Sequence, residues 1–382
     1  MSATYPQFPA FDLHRLLDTV FTLRPGDRIA ILIDLPDPAK VKDFAFLNDP
    51  AFTIQRHAYE VFYQGIRGGV LGNRGITTCD FFAYQITGGS NLDLPATAVD
   101  PTGRTLNLET EVYPKYDLIL CISTFSATAP LTAFAKKYGF RGATLHGLNP
   151  IILETGLAVD YNEVSRQAEK LRLAMTRADR FEIDYEVLGR RCTLTLECAR
   201  QEAQKSHGLC RGTEPDVANL PAGEVYFVPA GAEGSFPMAY EDGTLGLMKV
   251  SKGRIQSAEL LKGNAVTVEA HNKKLASDPV VGELGELGFG TQVLPVSGRD
   301  IQDEKVLGTL HVATGRSDHL GGSLTPDKFA NPLNATHDDI LFSPEKTPDV
   351  SVPQVRMFRD GTSTVVLENY RPAPYLERAL AS

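Results

Sequence analysis

The feature that most restricts the fold is an alternation of strand-like and helix-like segments in the first part of the chain. KYDLILCIST at 115–124 carries a short continuous apolar run, which is typical of a strand covered on both faces. It is followed by LTAFAKKYG, a helical segment closed by glycine, and by RGATLHG, a further strand. Strands that alternate with helices form βαβ units, so the sequence predicts a mostly parallel sheet here.

Neighbouring segments support the same fold class. FDLHRLLDTVFTL has apolar residues at helical spacing, and RPGDRIAILID turns from it into a buried strand. DYNEVSRQAEKLRLAMTRA at 160–178 is the clearest helix, with Asp160 as N-cap. Thr124, at a strand end, could line a crevice, but we expect its side chain to form its hydrogen bonds within the core or a loop.

The pattern changes after this helix. RFEIDYEVLGRRCTLTLEC alternates with period two and predicts a hairpin with its turn near Leu-Gly. From Glu224 onward the sequence predicts mainly short strands: EVYFVP, SFPMAYEDGTLG, GRIQSAELL, AVTVEAHN, KVLGTLHVATG, HDDILFS, VRMFRDG and TSTVVLEN. The prediction is an α/β protein in which an N-terminal, mostly parallel α/β domain (1–215) precedes a β-rich α+β metal-binding, catalytic domain (216–382).

Composition excludes several classes of protein. Hydrophobic residues make up 42% and charged residues 22% of the 382 positions, the balance of a globular protein with more than one core. A net charge of −9, without a long Lys/Arg block, argues against nucleic-acid binding. The densest apolar run, IAILI at 29–33, is too short to cross a membrane.

The cysteines and the N-terminus favour a cytoplasmic location. The five cysteines are scattered and lack any C-x-x-C spacing, so they are interpreted as reduced thiols. The first residues show no basic segment followed by an apolar one. We expect a small-molecule or peptide substrate, and neither a nucleic acid nor a membrane as partner.

The segment NATHDDILF contains the first candidate metal ligands. If it is a strand, His337 and Asp339 point to one face while Asp338 points away. An imidazole and a carboxylate on one face can share a metal ion, although a turn with solvated acids would explain the triplet alone. The preceding hundred or so residues add ligand types beside apolar β-formers or glycine: Glu224 in LPAGEVYFVP, Glu283 and Glu286 in GELGELGFGTQ, and His311 in DEKVLGTLHVATG.

Three carboxylates and two imidazoles have the stoichiometry of a two-metal site. The five candidates are Glu224, Glu286, His311, His337 and Asp339. Two divalent ions about 3.5–4 Å apart need such ligands and lower the pKa of a bridging water. Zinc, cobalt, manganese and iron all suit mixed oxygen and nitrogen ligands, and the absence of cysteine argues against a structural zinc site.

Other polar residues near these ligands have simpler interpretations. Asp303 and Glu304 beside Lys305 are expected to form a solvated turn, with a carboxylate that orients His311 as the alternative. Glu283 could compete with Glu286 for the ligand role. His271 in EAHNKK is expected at the surface end of a strand.

The chain resembles the M29 family of metallo-aminopeptidases. The general likeness lies in RPGDRIAILID, DLILCISTFSATAP, VDYNEVSRQAEKLRLAMTRADRFEI and NLPAGEVYFVPAGAEGS, and the specific one in LGELGFGTQ, DEKVLGTLHVATG and ATHDDILF. The resemblance implies that the five candidates bind a pair of zinc, cobalt or manganese ions in the C-terminal domain of a homodimer. It implies hydrolysis of small peptides or amides by a metal-bridging hydroxide.

One position departs from this family. Seven residues after the third ligand, where the family has a catalytic Tyr, this chain has Asp318, followed by His319. These two residues are therefore the candidates for the missing polar role. Without the phenol hydroxyl, peptide hydrolysis itself is in doubt, and a binding protein that has lost catalysis is one alternative.

The chain is also similar to the iron-dependent 2,5-dihydroxypyridine dioxygenases. GELGFGT and HLGGS look closer to that group than to the peptidases. That resemblance implies a ring-cleaving enzyme with a single Fe(II), although Glu286 stands where the group appears to place its first histidine. In either case we expect the loops 230–246 and 316–335 to determine substrate specificity.

Overall fold

The computed structural model describes residues 5–382. The chain forms two compact units, which interleave along the sequence. The first unit combines the described residues up to Ser165 with His207–Ala222, and the second combines Arg166–Ser206 with Gly223–Ser382. The sequence predicted one boundary, between residues 215 and 216. In the structure the chain already enters the second unit at Arg166, because the hairpin that follows pairs with strands of that unit.

The strands in chain order are β1 Ile29–Leu35, β2 Cys79–Gln85, β3 Thr97–Val99, β4 Thr105–Asn107, β5 Leu118–Cys121, β6 Arg141–Thr144, β7 Arg180–Val187, β8 Arg190–Glu197, β9 Gln204–Ser206, β10 Val217–Asn219, β11 Glu224–Phe227, β12 Gly231–Ala239, β13 Leu245–Ser251, β14 Arg254–Lys262, β15 Leu284–Gly290, β16 Leu310–Gly315, β17 His337–Phe342, β18 Val350–Arg359, β19 Thr362–Glu368 and β20 Arg371–Pro372.

The α-helices are α1 Leu13–Phe21, α2 Thr53–His57, α3 Gln64–Arg67, α4 Thr128–Tyr138, α5 Pro150–Glu154, α6 Tyr161–Met175, α7 Ala265–Ser277, α8 Asp300–Asp303 and α9 Pro374–Ala381. A π-helical turn, Ala58–Tyr63, joins α2 to α3. No helix within residues 5–382 has both the length and the hydropathy needed to cross a membrane.

The sheet of the first unit confirms the predicted α/β class. Its seven strands run in the order β10-β6-β5-β1-β2-β3-β4, and the first five of these are parallel to one another. Every residue of β1 is buried, which explains its continuous apolar sequence. The helix predicted at 160–178 is α6, which buries Val164, Ala168, Leu171 and Met175 along one face.

The second unit contains two antiparallel sheets. One has eight strands in the order β14-β13-β12-β8-β7-β18-β19-β20, and the other has five in the order β17-β16-β15-β11-β9. Side chains from both sheets meet in one core, where the Phe181 and Phe289 rings lie 5.3 Å apart and the Tyr185 and Phe342 rings 4.8 Å apart. The five-stranded sheet therefore has one core face and one face left for other roles.

The hairpin β7–β8 confirms the predicted turn. Leu188 and Gly189 have φ values of 49° and 73° between the two strands. A two-residue hairpin loop in which both residues have positive φ matches the right-handed twist of its strands.

One predicted strand is wrong. AVTVEAHN lies in α7, where Asn264 caps the N-terminus by accepting a hydrogen bond from the backbone N–H of Val266 at 3.0 Å. The β-branched residues suggested a strand, but the cap and the burial of Val268 and Leu275 two turns apart favour the helix. His271 accordingly lies on a helix, not at a strand end, and its Nδ1 is 2.6 Å from the Tyr240 hydroxyl.

Candidate metal centre

Backbone pairing aligns one row of side chains across the five-stranded sheet. Glu286 on β15 lies opposite Ala313 on β16, and Ala313 lies opposite Asp339 on β17. Residues directly opposite each other in an antiparallel pair project from the same face. Glu286 and Asp339 therefore share a face and are separated by a residue with only a methyl side chain.

The other predicted ligands lie on this face as well. His311 lies two residues before Ala313, and His337 lies two residues before Asp339. Glu224 pairs with Gly290, which is an even number of residues from Glu286 on β15, so Glu224 projects from the same face. Residues between them, such as Leu287, point into the core. The register of four strands thus brings all five predicted residues to one surface of the sheet.

Glycine at position 288 makes room for the His311 ring. A Cβ atom at Gly288 would lie 2.1 Å from Cε1 and 2.3 Å from Nε2 of that imidazole. Any side chain at this position would displace the ring. Gly288 is therefore part of the site, a role that the sequence pattern did not indicate.

Glu286, His337 and Asp339 form a trio of ligand-type side chains, here called the Asp339 trio. Nε2 of His337 lies 3.0 Å from Oε2 of Glu286 and 3.3 Å from Oδ1 of Asp339. One ligand atom from each residue lies within 4.8 Å of the others. Glu286 and His337 are buried, whereas the Asp339 side chain is 28% exposed. A metal ion and a substrate could therefore reach this trio from the Asp339 side.

A second trio shares Glu286 and is here called the Glu224 trio. Nε2 of His311 lies 3.5 Å from Oε1 of Glu286 and 3.8 Å from Oε2 of Glu224. All three residues are buried, and their ligand atoms also lie within 4.8 Å of one another. The residue types match the sequence prediction, but the surroundings of the two trios differ.

Lys305 and Glu304 belong to the site, which corrects the prediction of a solvated turn. The Lys305 side chain is 1% exposed, and its Nζ lies 2.7 Å from Oε1 of Glu224 and 2.5 Å from Oε1 of Glu304. Burial lowers the pKa of Lys305, but the charges of the two carboxylates outweigh burial and raise that pKa above its ordinary value. The ammonium is therefore charged and neutralises Glu224.

The turn that carries these residues is held by buried hydrogen bonds. Oδ1 of Asp303 accepts from the backbone N–H of Ser297 at 2.6 Å and from its hydroxyl at 2.9 Å. The carbonyl of Lys305 accepts from the backbone N–H of Gln292 at 2.8 Å. Asp303 is thus a structural residue and not a solvated one.

The buried charges of the Asp339 trio shift one another's pKa values. Burial raises the pKa of Glu286, but hydrogen bonds from two imidazoles outweigh burial and hold it well below its ordinary value. Burial likewise lowers the pKa of His337, but the charges and hydrogen bonds of Asp339 and Glu286 together outweigh burial and raise that pKa well above 6.5. With no metal bound, protons on the imidazoles balance the carboxylates, and a metal ion would compete with those protons.

One oxygen of the trio needs a further partner. Oδ1 of Asp339 is buried and has no well-aligned hydrogen bond from any residue in the described part of the chain. A buried carboxylate oxygen without a donor is costly unless a cation binds to it. Two carboxylates and one imidazole without a thiolate are ligands that suit a first-row divalent metal such as iron, so the residues fit such an ion.

The backbone fixes the orientation of His337. Its Nδ1 donates a hydrogen bond to the carbonyl oxygen of Arg316 at 2.7 Å. This bond directs Nε2 towards the two carboxylates, which is the usual way a protein orients a metal-binding histidine. The contribution of the Arg316 carbonyl was not foreseen, since a backbone acceptor leaves no signal in a sequence.

Asp318 and His319 lie beside the Asp339 trio but differ in their charge and in their contacts. Nε of Arg316 donates to Oδ1 of Asp318 at 2.7 Å, so this carboxylate is engaged in an ion pair. The His319 ring stands 5.0 Å from the His337 ring at 86°, and its side chain is 5% exposed. Burial, with the nearby charge of His337, lowers the pKa of His319 to about 3. His319 is therefore a neutral imidazole at neutral pH.

Glu283 lies apart from both trios. Its Oε2 accepts hydrogen bonds from the Arg254 guanidinium at 2.9 and 3.1 Å. The preference for Glu286 over Glu283 as the candidate ligand therefore agrees with the geometry.

Comparison with known proteins identifies the fold. No protein-family model and no curated protein matches the chain. The solved structure of the 2,5-dihydroxypyridine dioxygenase from Pseudomonas putida matches it with a TM-score of 0.57 over 95% of this chain and 97% of that one. The identity is 13%, so the likeness shows a shared fold.

The expectation of a hydrolase, aminopeptidase or metalloprotease is corrected by these comparisons. The matching solved structure described above is that of a dioxygenase, and neither family models nor curated proteins give a peptidase match. The assignment of a two-metal peptidase site is withdrawn with it. The local likeness in ATHDDILF and DEKVLGTLHVATG reflects the positions of ligand-type residues on a sheet, which do not determine the reaction.

Proposed function

We propose that this protein is an oxygenase that opens a hydroxylated aromatic or nitrogen-heterocyclic ring with a single Fe(II). The observation that carries the proposal is the convergence of Glu286, His337 and Asp339 around a buried carboxylate oxygen that accepts no well-aligned hydrogen bond from the described residues. The fold shared with a ring-cleaving dioxygenase supports this reaction class over others that use one divalent ion.

The three side chains would hold the iron. Mononuclear iron oxygenases commonly use two histidines and one carboxylate, whereas this trio offers one histidine and two carboxylates. Glu286 and Asp339 would give the bound ion a lower net charge than a histidine-rich site. When bound, Fe(II) supplies the one-electron and dioxygen chemistry that ring opening requires.

The residues around the trio have separate roles. The Arg316 carbonyl keeps Nε2 of His337 aimed at the trio. The ion pair between Arg316 and Asp318 holds the turn that carries His319. His319 is neutral, and its Nδ1 has no hydrogen-bond partner among the described residues, so this atom can accept a hydrogen bond from a ring hydroxyl of the substrate. His319 is thus proposed to position the substrate.

Oxygen consumption tests the proposal. The chain would be loaded anaerobically with Fe(II) and mixed, in an oxygen electrode, with 2,5-dihydroxypyridine and a panel of dihydroxylated benzenes and pyridines. We expect one O2 consumed per ring, together with loss of the ring absorbance, and inactivation when the iron is oxidised. An iron-loaded chain that consumes no oxygen with any ring of the panel would overturn the proposal.

Two variants make this test specific. Glu286→Ala should lose turnover because it removes a proposed ligand. Asp338→Asn is the matched control, since Asp338 lies between two proposed ligands in sequence but on the exposed, opposite side of β17. Equal losses in both variants would point to damage of the strand and not to loss of the metal.

A further inference from the structure

We infer that Lys305 is an internal counter-cation that keeps Glu224 out of metal binding, so that the cluster holds one divalent ion, on the Asp339 trio. The inference rests on the proposed metal site but not on the reaction assigned to it. It concerns the number of ions, which neither trio by itself determines.

The two trios offer the same chemistry. Each contains two carboxylates and one imidazole, and both use Glu286. By residue type alone, the cluster could hold two ions bridged by Glu286. The surroundings of each trio must therefore decide how many ions bind.

The ammonium group of Lys305 contacts the Glu224 trio. Nζ of Lys305 lies 2.7 Å from Oε1 of Glu224 and, at 2.5 Å, also contacts Glu304. A second divalent ion would have to share Glu224 with this positive charge, which repels it. Asp339 faces His337 at 3.3 Å and His311 at 3.8 Å, but an imidazole can give up its proton and bind a metal ion, which an ammonium group cannot do while it is charged. Within the described part of the chain, Oδ1 of Asp339 also lacks a well-aligned hydrogen-bond donor. A metal ion is thus favoured on the Asp339 trio and disfavoured on the Glu224 trio.

The fold holds Lys305 in this place. Its carbonyl accepts the hydrogen bond from Gln292 already described, and the next residue, Val306, lies against β15. A Cβ atom at Gly290 would lie 2.1 Å from the Val306 carbonyl oxygen and 2.7 Å from the carbonyl carbon of Lys305. Gly290 therefore leaves space for the segment that delivers the ammonium to Glu224.

Counting the bound ions tests the inference directly. Wild type, Lys305→Met and Lys305→Arg would be stripped of metal, loaded with Mn(II), freed of excess ion and assayed for manganese per chain. We expect one ion in wild type and in Lys305→Arg, which keeps the charge, and two in Lys305→Met. Electron paramagnetic resonance should show an isolated Mn(II) signal in the first two proteins and an exchange-coupled signal in Lys305→Met.

Two results would overturn the inference: two ions in wild type, or a single ion in a folded Lys305→Met. If that variant does not fold, Glu224→Gln decides. We expect Glu224→Gln to keep one ion and, when loaded with Co(II), to keep the wild-type visible spectrum, because Glu224 is not a ligand. A lost ion or a changed spectrum would show that Glu224 does bind metal.

The outcomes separate this inference from the proposed function, because no substrate is present. One ion without oxygen consumption would contradict the oxygenase alone. Two ions in wild type with oxygen consumption would contradict the role of Lys305 and the single iron, but not the ring-opening reaction.

Discussion

Asp34 in the first unit and Asp339 in the second are both carboxylates on β-strands, but their partners differ. Asp34 is buried and accepts hydrogen bonds from the Thr124 backbone N–H at 2.9 Å, from the Thr124 hydroxyl at 3.1 Å and from the Gln55 amide at 2.7 Å. Oδ1 of Asp339 is buried too, yet it faces imidazoles and accepts no well-aligned hydrogen bond from the described residues.

The difference separates a structural carboxylate from a proposed metal ligand. Neutral donors satisfy Asp34, and burial raises the pKa of this group, so nothing about it calls for a metal ion. The carboxyl ends of parallel strands often bind ligands, but here Asp34 and Thr124 bind each other. Asp339 differs, because its Oδ1 faces two imidazoles that can exchange their protons for a metal ion.

The largest expected effect follows from removing the Asp339 carboxylate. Asp339→Ala should lose the bound ion and reduce kcat/KM by about 10³-fold or more, because the metal supplies several kcal/mol of charge stabilisation. Elemental analysis and steady-state kinetics measure the two losses, with Asp338→Asn as control. If Asp339→Ala kept its ion and lost only stability, Asp339 would be structural like Asp34.

The pH dependence of stability sharpens the contrast for the metal-free protein. Burial lowers the pKa of His311, but Glu286 and Asp339 outweigh burial and raise it from 6.5 to about 10. The proton on His311 therefore stabilises the folded state, because the pKa is higher there than in the unfolded chain. This contribution is fully present below about pH 6.5 and is lost as the pH rises through about 10. The loss between pH 6.5 and pH 10 should be on the order of 4 kcal/mol.

Urea unfolding at pH 6.5 and pH 10 measures this loss. His311→Gln cannot hold the extra proton, so its stability should change less between the two pH values. Equal changes in the variant and in wild type would contradict a proton held by His311. Loading with metal should also reduce the change, because the ion takes the place of protons in the cluster.

Removing the Asp34 carboxylate should lower the stability of the protein without loss of the metal ion. Asp34→Ala leaves the Thr124 N–H and the Gln55 amide without their acceptor, and should destabilise the protein by about 2 kcal/mol while metal content stays unchanged. Asp34→Asn retains one acceptor oxygen and should cost less. Urea unfolding and elemental analysis measure both variants, and a lost ion in either would break the contrast between the two carboxylates.

The smallest effect is expected at His319, beside the trio but not in it. His319→Ala should lower kcat about tenfold and leave the metal content unchanged, as for a residue that acts on the substrate or through a neighbour. His319→Gln, which retains a hydrogen-bond acceptor, should recover part of the rate. Loss of the ion in His319→Ala would instead place this residue among the ligands.

The sequence predicted the parts of the fold that depend on local pattern. The apolar run at β5 and the period-two alternation at β7–β8 predicted both strand types, because burial on two faces or one face determines those patterns. AVTVEAHN failed because β-branched residues favour strands while its cap and its packing favour a helix. Where local propensity and tertiary packing disagree, packing prevails.

The site was predictable only in part. His337 and Asp339 could be placed on one face from their spacing, and the structure brings the other three candidates to that face. The burial of Glu304 and Lys305 could not be predicted. A run of charged residues indicates a solvated segment unless the residue that pairs with it is known. That partner, Glu224, comes from a distant segment, and only the register of the sheet brings the charges together.

Locating the bound ion in a crystal tests the central claim most directly. Crystals of the chain loaded anaerobically with Fe(II) would be measured above and below the iron absorption edge, and anomalous difference maps would be compared. We expect one peak, bounded by Glu286, His337 and Asp339. A peak between Glu224 and His311, or no peak at the Asp339 trio in iron-loaded protein, would contradict the assignment.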